Sequence, residues 1–237
     1  CVGCQTCTVA CKLQNGTPPG VQWRRVIDVE QGQFPDVQRV FVVVGCQHCA
    51  EPPCVPVCPT GATEQRADGI VTMNYERCIG CSYCAVACPY QARMIVHRQD
   101  WYYGVETLQE QAVAQPERLG VMTKCNFCQD RIAEGIDAGL APGVDPAATP
   151  ACAAACISQA IKFGDFNDEH SLVSQLTAEN KTFQMHAGLG TEPQIRYLYD
   201  HAMTPGRETE EREYDDIRLS RSDGQEALVG GHQRIHG

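Results

Sequence analysis

Cys78-Ile-Gly-Cys81-Ser-Tyr-Cys84-Ala-Val-Ala-Cys88-Pro89 is the stretch from which the rest of this chain is read. Its spacing, C-x2-C-x2-C-x3-C-Pro, is one by which a polypeptide wraps cubane iron–sulfur clusters. The same spacing, without the proline, occurs at Cys1, Cys4, Cys7 and Cys11. A second group, Cys46, Cys49, Cys54 and Cys58, carries two extra residues, and a fourth is split, with Cys125 and Cys128 set apart from Cys152 and Cys156. The sixteen cysteines thus fall into four groups of four. At four thiolates per cluster they would hold four [4Fe–4S] centres.

The spacing has a physical reason. Cysteines at i, i+3 and i+6 of a tight loop can all point to one side, and so to one cluster. Cys84 and Cys88 are expected one helical turn apart on a short helix that begins near the third cysteine. One then reaches its own cluster and the other the neighbouring cluster. Gly3 and Gly80, between the first two cysteines of their groups, let backbone amides approach the sulfurs closely. Such amides are hydrogen-bond donors that set a cluster's potential. Proline after Cys58 and Cys88 fixes the backbone dihedral and redirects the chain.

The rest of the composition narrows the reading. The net charge of −10 argues against nucleic acid, which requires a basic face. It suits an acidic protein that docks on other proteins. With 7% aromatic residues the apolar core of a 237-residue chain is expected to be modest, and bound clusters would supply the missing centre. No apolar run approaches the length of a membrane span. The chain opens directly on a cysteine of the motif, so upstream residues, including a strand, are expected to precede this numbering. A disulfide framework belongs to small secreted chains, and these thiols are too densely spaced for orderly pairing. Zinc is the stronger rival for the fourth group alone, whose two cysteine pairs resemble a ribbon. It does not account for the C-x2-C-x2-C-x3-C pattern.

An internal repeat is visible. Cys54 to Ala62 matches Cys84 to Ala92, and more loosely Cys152 to Ala160, each as C-x3-C-x3-Ala. The pattern predicts an α+β fold of duplicated bacterial-type ferredoxin-like dicluster modules, with short strands, short helices and long loops. Strands are expected at Arg24 to Val29, Val40 to Val44, Ile70 to Met73, Met94 to His97, Val121 to Thr123 and Ile161 to Phe163. Helices are expected from Cys125 to Glu134, stopped by Gly135, and from Ser171 to Glu179. Gly139 to Pro150 reads as a proline-rich loop.

At this point the residues resemble a known family. The order of the four groups, the C-x2-C-x4-C-x3-C-Pro second group and the split fourth group resemble the electron-transfer subunit of molybdopterin oxidoreductases, the dimethyl sulfoxide reductase superfamily. Its members include polysulfide, thiosulfate and arsenate reductases, sulfite dehydrogenase and phenylacetyl-CoA oxidoreductase. The likeness covers roughly Cys1 to Gly164, with a fainter likeness over Asn180 to Tyr199. It implies a crossed ligation. Cys1, Cys4 and Cys7 would share a cluster with Cys156, and Cys125, Cys128 and Cys152 would take Cys11. Cys46, Cys49 and Cys54 would take Cys88, and Cys78, Cys81 and Cys84 would take Cys58. Some relatives replace one cysteine and hold a [3Fe–4S] centre, but no position is replaced here. Lys12 and Ile157 stand where a proline would follow the outer cysteines, a departure common in this family.

The resemblance divides the chain into an outer module (1–45 with 120–170), an inner module (46–119), a helix and extension (171–204) and a charged tail (205–237). It implies a non-catalytic relay of four [4Fe–4S] clusters. Its partners would be a large catalytic subunit carrying molybdenum or tungsten and either a quinone-binding membrane subunit or a soluble carrier. No Walker loop, dinucleotide fingerprint, nucleophile elbow or H-E-x-x-H motif is present. The alternative is a free-standing polyferredoxin shuttle. Likeness to the sulfite and phenylacetyl-CoA members points to the cytoplasmic face, with the periplasmic face as the alternative.

Smaller features carry two readings each. Lys124 and Arg77 precede cysteine groups, where positive charge would raise a cluster's potential, or they are solvated charges or ion-pair partners. His48 would bond a neighbouring subunit or lie plainly on the surface. Trp101 to Tyr103 would pack in a core or an interface. His232 and His236 have metal-ligand spacing in a polar tail, and Glu208 to Asp216 would wrap a partner or stay solvated.

Overall fold

In the computed structural model the β-branched run of Val40 to Val44 lies in a long two-stranded ribbon, β1 (Arg24–Gln33) against β2 (Asp36–Gly45). The structure describes residues 1–199 and the paired two-residue strands Leu219–Ser220 and Glu226–Ala227. The rest of the expected tail, with Glu208 to Asp216 and the His232–His236 pair, lies outside the described residues. Both ribbon strands run further than their apolar stretches suggest. Their polar ends pair with each other, Glu30 opposite Arg39 and Gln31 opposite Gln38, so each backbone completes the other's ladder. The base of the ribbon is buried and its tip is exposed.

Three further small antiparallel pairs lie between residues 63 and 198. β3 (Thr63–Gln65) pairs with β4 (Val71–Met73), and β5 (Met94–Ile95) pairs with β6 (Met122–Thr123). Thr182–Phe183 (β7) pairs with Tyr197–Leu198 (β8). Of these, β3, β7 and β8 were not among the expected strands. The strand expected at Ile161 to Phe163 is absent. Gly143 closes on the Phe163 carbonyl there instead, and no described segment runs beside it as a ladder partner.

Short helices begin near the third cysteine, as the spacing requires. They are α1 (Thr6–Asn15) at Cys7, α2 (Tyr83–Val86) at Cys84 and, in the fourth group, a turn of helix (Ala151–Ala154) at Cys152. Between α2 and that turn lie α3 (Leu108–Ala112) and α4 (Gln129–Asp137), so the Ala151–Ala154 turn is α5. The last helix, α6 (Leu172–Glu179), starts at Ser171, whose hydroxyl accepts from the Ser174 amide at 3.3 Å. α3 is closed by a capping box of Thr107 and Glu110, with each side chain accepting from the other's backbone amide. None of the described helices is long and apolar enough to cross a membrane.

Two small buried clusters make the core, and cysteines belong to both. One gathers Cys11, Val21, Trp23, Val96 and Cys125. The other gathers Val44, Cys49, Tyr90, Ala92 and Met185. Trp23 donates its indole N–H to Thr123 at 3.0 Å, and the buried Arg118 guanidinium lies 4.7 Å over the Trp23 ring. Beyond α6 the chain returns as a strap across the second cysteine group. Ala50 and Glu51 donate to the carbonyls of Glu192 and Thr191, the Gln194 amide donates to Gln47, and Tyr197 reaches the Val43 carbonyl.

Gly135 does not stop α4. It is buried inside the helix, and a Cβ there would lie 2.6 Å from the Cα and Cβ of Ala148. The stop falls at Gly139, whose φ is +76°. Gly135→Ala would raise helix propensity by ~1 kcal/mol at an ordinary site. Here it is expected to destabilise by ~1–3 kcal/mol through overpacking, seen as a lowered thermal unfolding midpoint.

Candidate metal centres

The same backbone device recurs in all four cysteine groups. The residue two places after the first cysteine is left-handed each time: Gly3 (φ +68°), His48 (+44°), Gly80 (+67°) and Phe127 (+55°). Groups one and three use glycine, and in each the residue after the second cysteine, Gln5 or Ser82, is left-handed as well. Groups two and four use an aromatic ring, and the two rings stack on each other at 3.9 Å with a 20° tilt.

The C-x3-Ala repeat has an equally uniform geometry. After Cys58, Cys88 and Cys156 the third residue is left-handed (Gly61, Gln91, Gln159), and its amide bonds back to the cysteine carbonyl. The alanine amide that follows is aimed at sulfur. Ala62 donates to Cys58 and Ala160 to Cys156, both at 3.2 Å. The Phe127 amide donates to Cys125 at 3.4 Å. Cys11 differs because α1 continues through it. Its donor is the buried side chain four residues on, Asn15, whose amide nitrogen lies 3.7 Å from Cys11 Sγ and 3.9 Å from Cys128 Sγ.

All sixteen cysteines are free thiols, and the fold brings them together across groups. Burial pushes the Cys11 thiol far up, with Cys125, Cys152 and Cys128 adding to the rise against the pull of Arg24. Cys49 is pushed up to about 11, chiefly by burial, with Cys46, Cys54 and Cys88 around it. Cys4 faces Cys156, and Cys7 faces Cys152. Cys58, Cys78, Cys81 and Cys84 line one small hollow, together with Met73, Met122 and Ile79. Cys46 packs against both core clusters and so stands where the second and fourth groups meet. Cys1, Cys4 and Cys81 are exposed.

Among the described residues no three His, Cys, Asp or Glu side chains converge on a point as a single metal ion would require. A cubane asks for a wider arrangement, because each thiolate binds a different iron. Thiols whose burial disfavours the bare thiolate suit a metal that replaces their protons. The buried cations fit the same charge pattern. Arg24 points at Cys152 (3.7 Å) and Arg93 at Cys54 (3.0 Å). Both guanidiniums stay charged although burial alone would lower their pKa, because the surrounding thiols raise it. Neither arginine stands out in the sequence, since nothing local marks a charge as buried.

Several sequence readings change. Lys124 is not solvated; it is 1% exposed and donates to the carbonyls of Val71 and Cys125. Arg77 is exposed and donates to Thr60 at 2.8 Å. His48, also 1% exposed, is neither a surface residue nor open to a neighbour, and its Nδ1 accepts from the Val71 amide at 3.2 Å. Tyr102 and Tyr103 are exposed, the latter at 82%, so that segment is not core.

Comparison with known proteins agrees with this chemistry. The family model described as a 4Fe-4S dicluster domain matches residues 37–105. A selenate reductase subunit from Mesobacillus selenatarsenatis is 39% identical, over 84% of this chain and 68% of its own length. A sulfite dehydrogenase subunit from Allochromatium vinosum is 37% identical, over 84% and 78%. The arsenate respiratory reductase iron–sulfur subunit of a Shewanella species is 34% identical, over 84% and 92%.

The left-handed turns give a direct test. A Cβ at Gly80 would sit 2.4 Å from the Gly120 carbonyl oxygen, whereas one at Gly104 (φ +76°) meets nothing within 4 Å. Gly80→Ala is expected to cost ~2–4 kcal/mol and Gly104→Ala only ~1–2 kcal/mol. Thermal unfolding of the two variants measures the difference, and Gly80→Ala is also expected to lower bound iron.

Proposed function

This chain belongs to the iron–sulfur subunits of dimethyl sulfoxide reductase-type molybdopterin enzymes, and on that premise we propose how it relays electrons. It carries four [4Fe–4S] clusters. Cys1, Cys4, Cys7 and Cys156 hold one, and Cys11, Cys125, Cys128 and Cys152 the next. Cys46, Cys49, Cys54 and Cys88 hold the third, and Cys58, Cys78, Cys81 and Cys84 the fourth. The grouping of thiols from distant parts of the chain, above all Cys58 beside Cys78, Cys81 and Cys84, carries this reading. The recurrence of one turn in all four groups favours a duplicated pair of modules, 1–45 with 120–170 and 46–119, with 171–204 as the helix and extension.

When bound, each cluster accepts or donates one electron. The residues of this chain supply the setting. Amides of Ala62, Ala160 and Phe127 donate to sulfur and favour the more negative, reduced state. Arg24 and Arg93 do the same with full charges. The two middle sets are the most deeply buried, while the end sets include the exposed Cys1, Cys4 and Cys81. Both ends also carry exposed apolar residues, Val2 and Ile157 at one and Ile79 and Tyr83 at the other. Exposed sulfur within an apolar collar suits protein contact at each end. One end serves a molybdenum- or tungsten-bearing catalytic subunit, and the other a quinone-binding membrane subunit or a soluble carrier.

About sixteen irons and as many acid-labile sulfides per chain are expected, together with co-purification of a large pterin-containing subunit. A lone monomer would favour the free shuttle, and about eight irons would overturn the count. Asn15→Leu removes a donor to Cys11 and Cys128. It is expected to lower one midpoint potential by about 20–65 mV, the worth of a ~0.5–1.5 kcal/mol hydrogen bond at one electron, read by redox titration.

A further inference from the structure

Lys124 is a buried cation placed where two cysteine groups meet. It is 1% exposed, and its ammonium donates to Val71 O and, at 2.7 Å, to Cys125 O. No carboxylate answers it, since none of the ion pairs among the described residues involves it. A buried charge needs a counter-charge. Burial and the nearby Arg93 act against its charge, and the groups that favour it are thiols from both sides of the join, Cys46 and Cys54 from the second group and Cys125 from the fourth. The same join is held by the stacked rings of His48 and Phe127. Arg24 differs, because the thiols around it (Cys152, Cys125, Cys11) all fall within one proposed set.

We propose that Lys124 is a charge bridge whose ammonium favours the reduced state of both middle clusters at once, easing electron passage between the two halves. This rests on the cysteine sets given above. The step it serves is a bare one-electron transfer, in which one cluster is oxidised as its neighbour is reduced and no bond forms or breaks. A cation serving only one side would lower the energy of one stop and deepen a trap there. A shared cation shifts both stops together and keeps them level. Lys124 is therefore a positioning charge and not a catalytic residue.

The test is a mediated redox titration, followed by electron paramagnetic resonance, of the iron-loaded complex as purified. Lys124→Met keeps an unbranched apolar stem and removes the ammonium with its charge. It is expected to make reduction at least tenfold less favourable at two of the four centres, a fall of 59 mV each at one electron, and to leave the other two unmoved. Arg24→Met is expected to lower one centre only. Lys124→Arg is expected to keep both potentials near those of the parent. A shift at one centre, at all four or at none under Lys124→Met would overturn the bridge. If Lys124→Met does not load iron, Lys124→Gln is titrated in its place. Loading by Lys124→Arg alone would support a required charge, and failure of all three variants would reduce Lys124 to packing and sink the proposal. Iron and sulfide analysis of the parent separates this from failure of the four-cluster reading, which would appear before any variant is made.

Discussion

Sulfur turned inward by a left-handed residue is the constraint from which the rest of this structure follows. Each group must turn several thiols to one side within a few residues, and an ordinary turn would scatter them. A positive φ between the first two cysteines curls the chain so that side chains and amides face the same way. Glycine does this without strain at positions 3 and 80. At 48 and 127 a bulkier residue does it, and the two rings stabilise each other by stacking. The local rule therefore has two solutions, one of them dependent on tertiary structure.

Charge follows from the same constraint. A chain of net charge −10 nonetheless buries Arg24, Arg93, Arg118 and Lys124. Three of these lie beside cysteine thiols, and Arg118 covers Trp23 and bonds the Asn15 carbonyl. The acidic groups are mostly outside, in pairs such as Asp28 with Arg39 that contribute little to stability. Charge is thus sorted by depth, with cations inside beside sulfur and carboxylates outside beside water.

The grouping of cysteines, their chemical class and the family were legible because ligand spacing is a local property. Helix starts at Cys7, Cys84 and Cys152 were legible for the same reason. Strand limits were less so. β1 runs to Gln33 because β2 lies alongside, and Ile161 to Phe163 fails to form a strand because no described segment does. Gly135 admits Ala148 and does not end α4, and in one dimension those two uses of a glycine look alike. The capping box at Thr107 and Glu110 is local, and its T-x-x-E spacing is legible in the sequence. Burial of His48, Lys124, Arg24 and Arg93 was invisible, because it depends on which distant segments close over them. The Asn15 amide could have been found by asking what stands four residues after each last cysteine, where alanine is the rule.

The strap formed by residues 185–197 has a consequence for biogenesis. It hydrogen-bonds across Gln47, Ala50 and Glu51 and seals Tyr90 through Thr191 at 2.6 Å. On a ribosome the thiols at 46, 49, 54 and 88 emerge well before the lid that covers them. The strap therefore closes over this group only after all four of its thiols have been made.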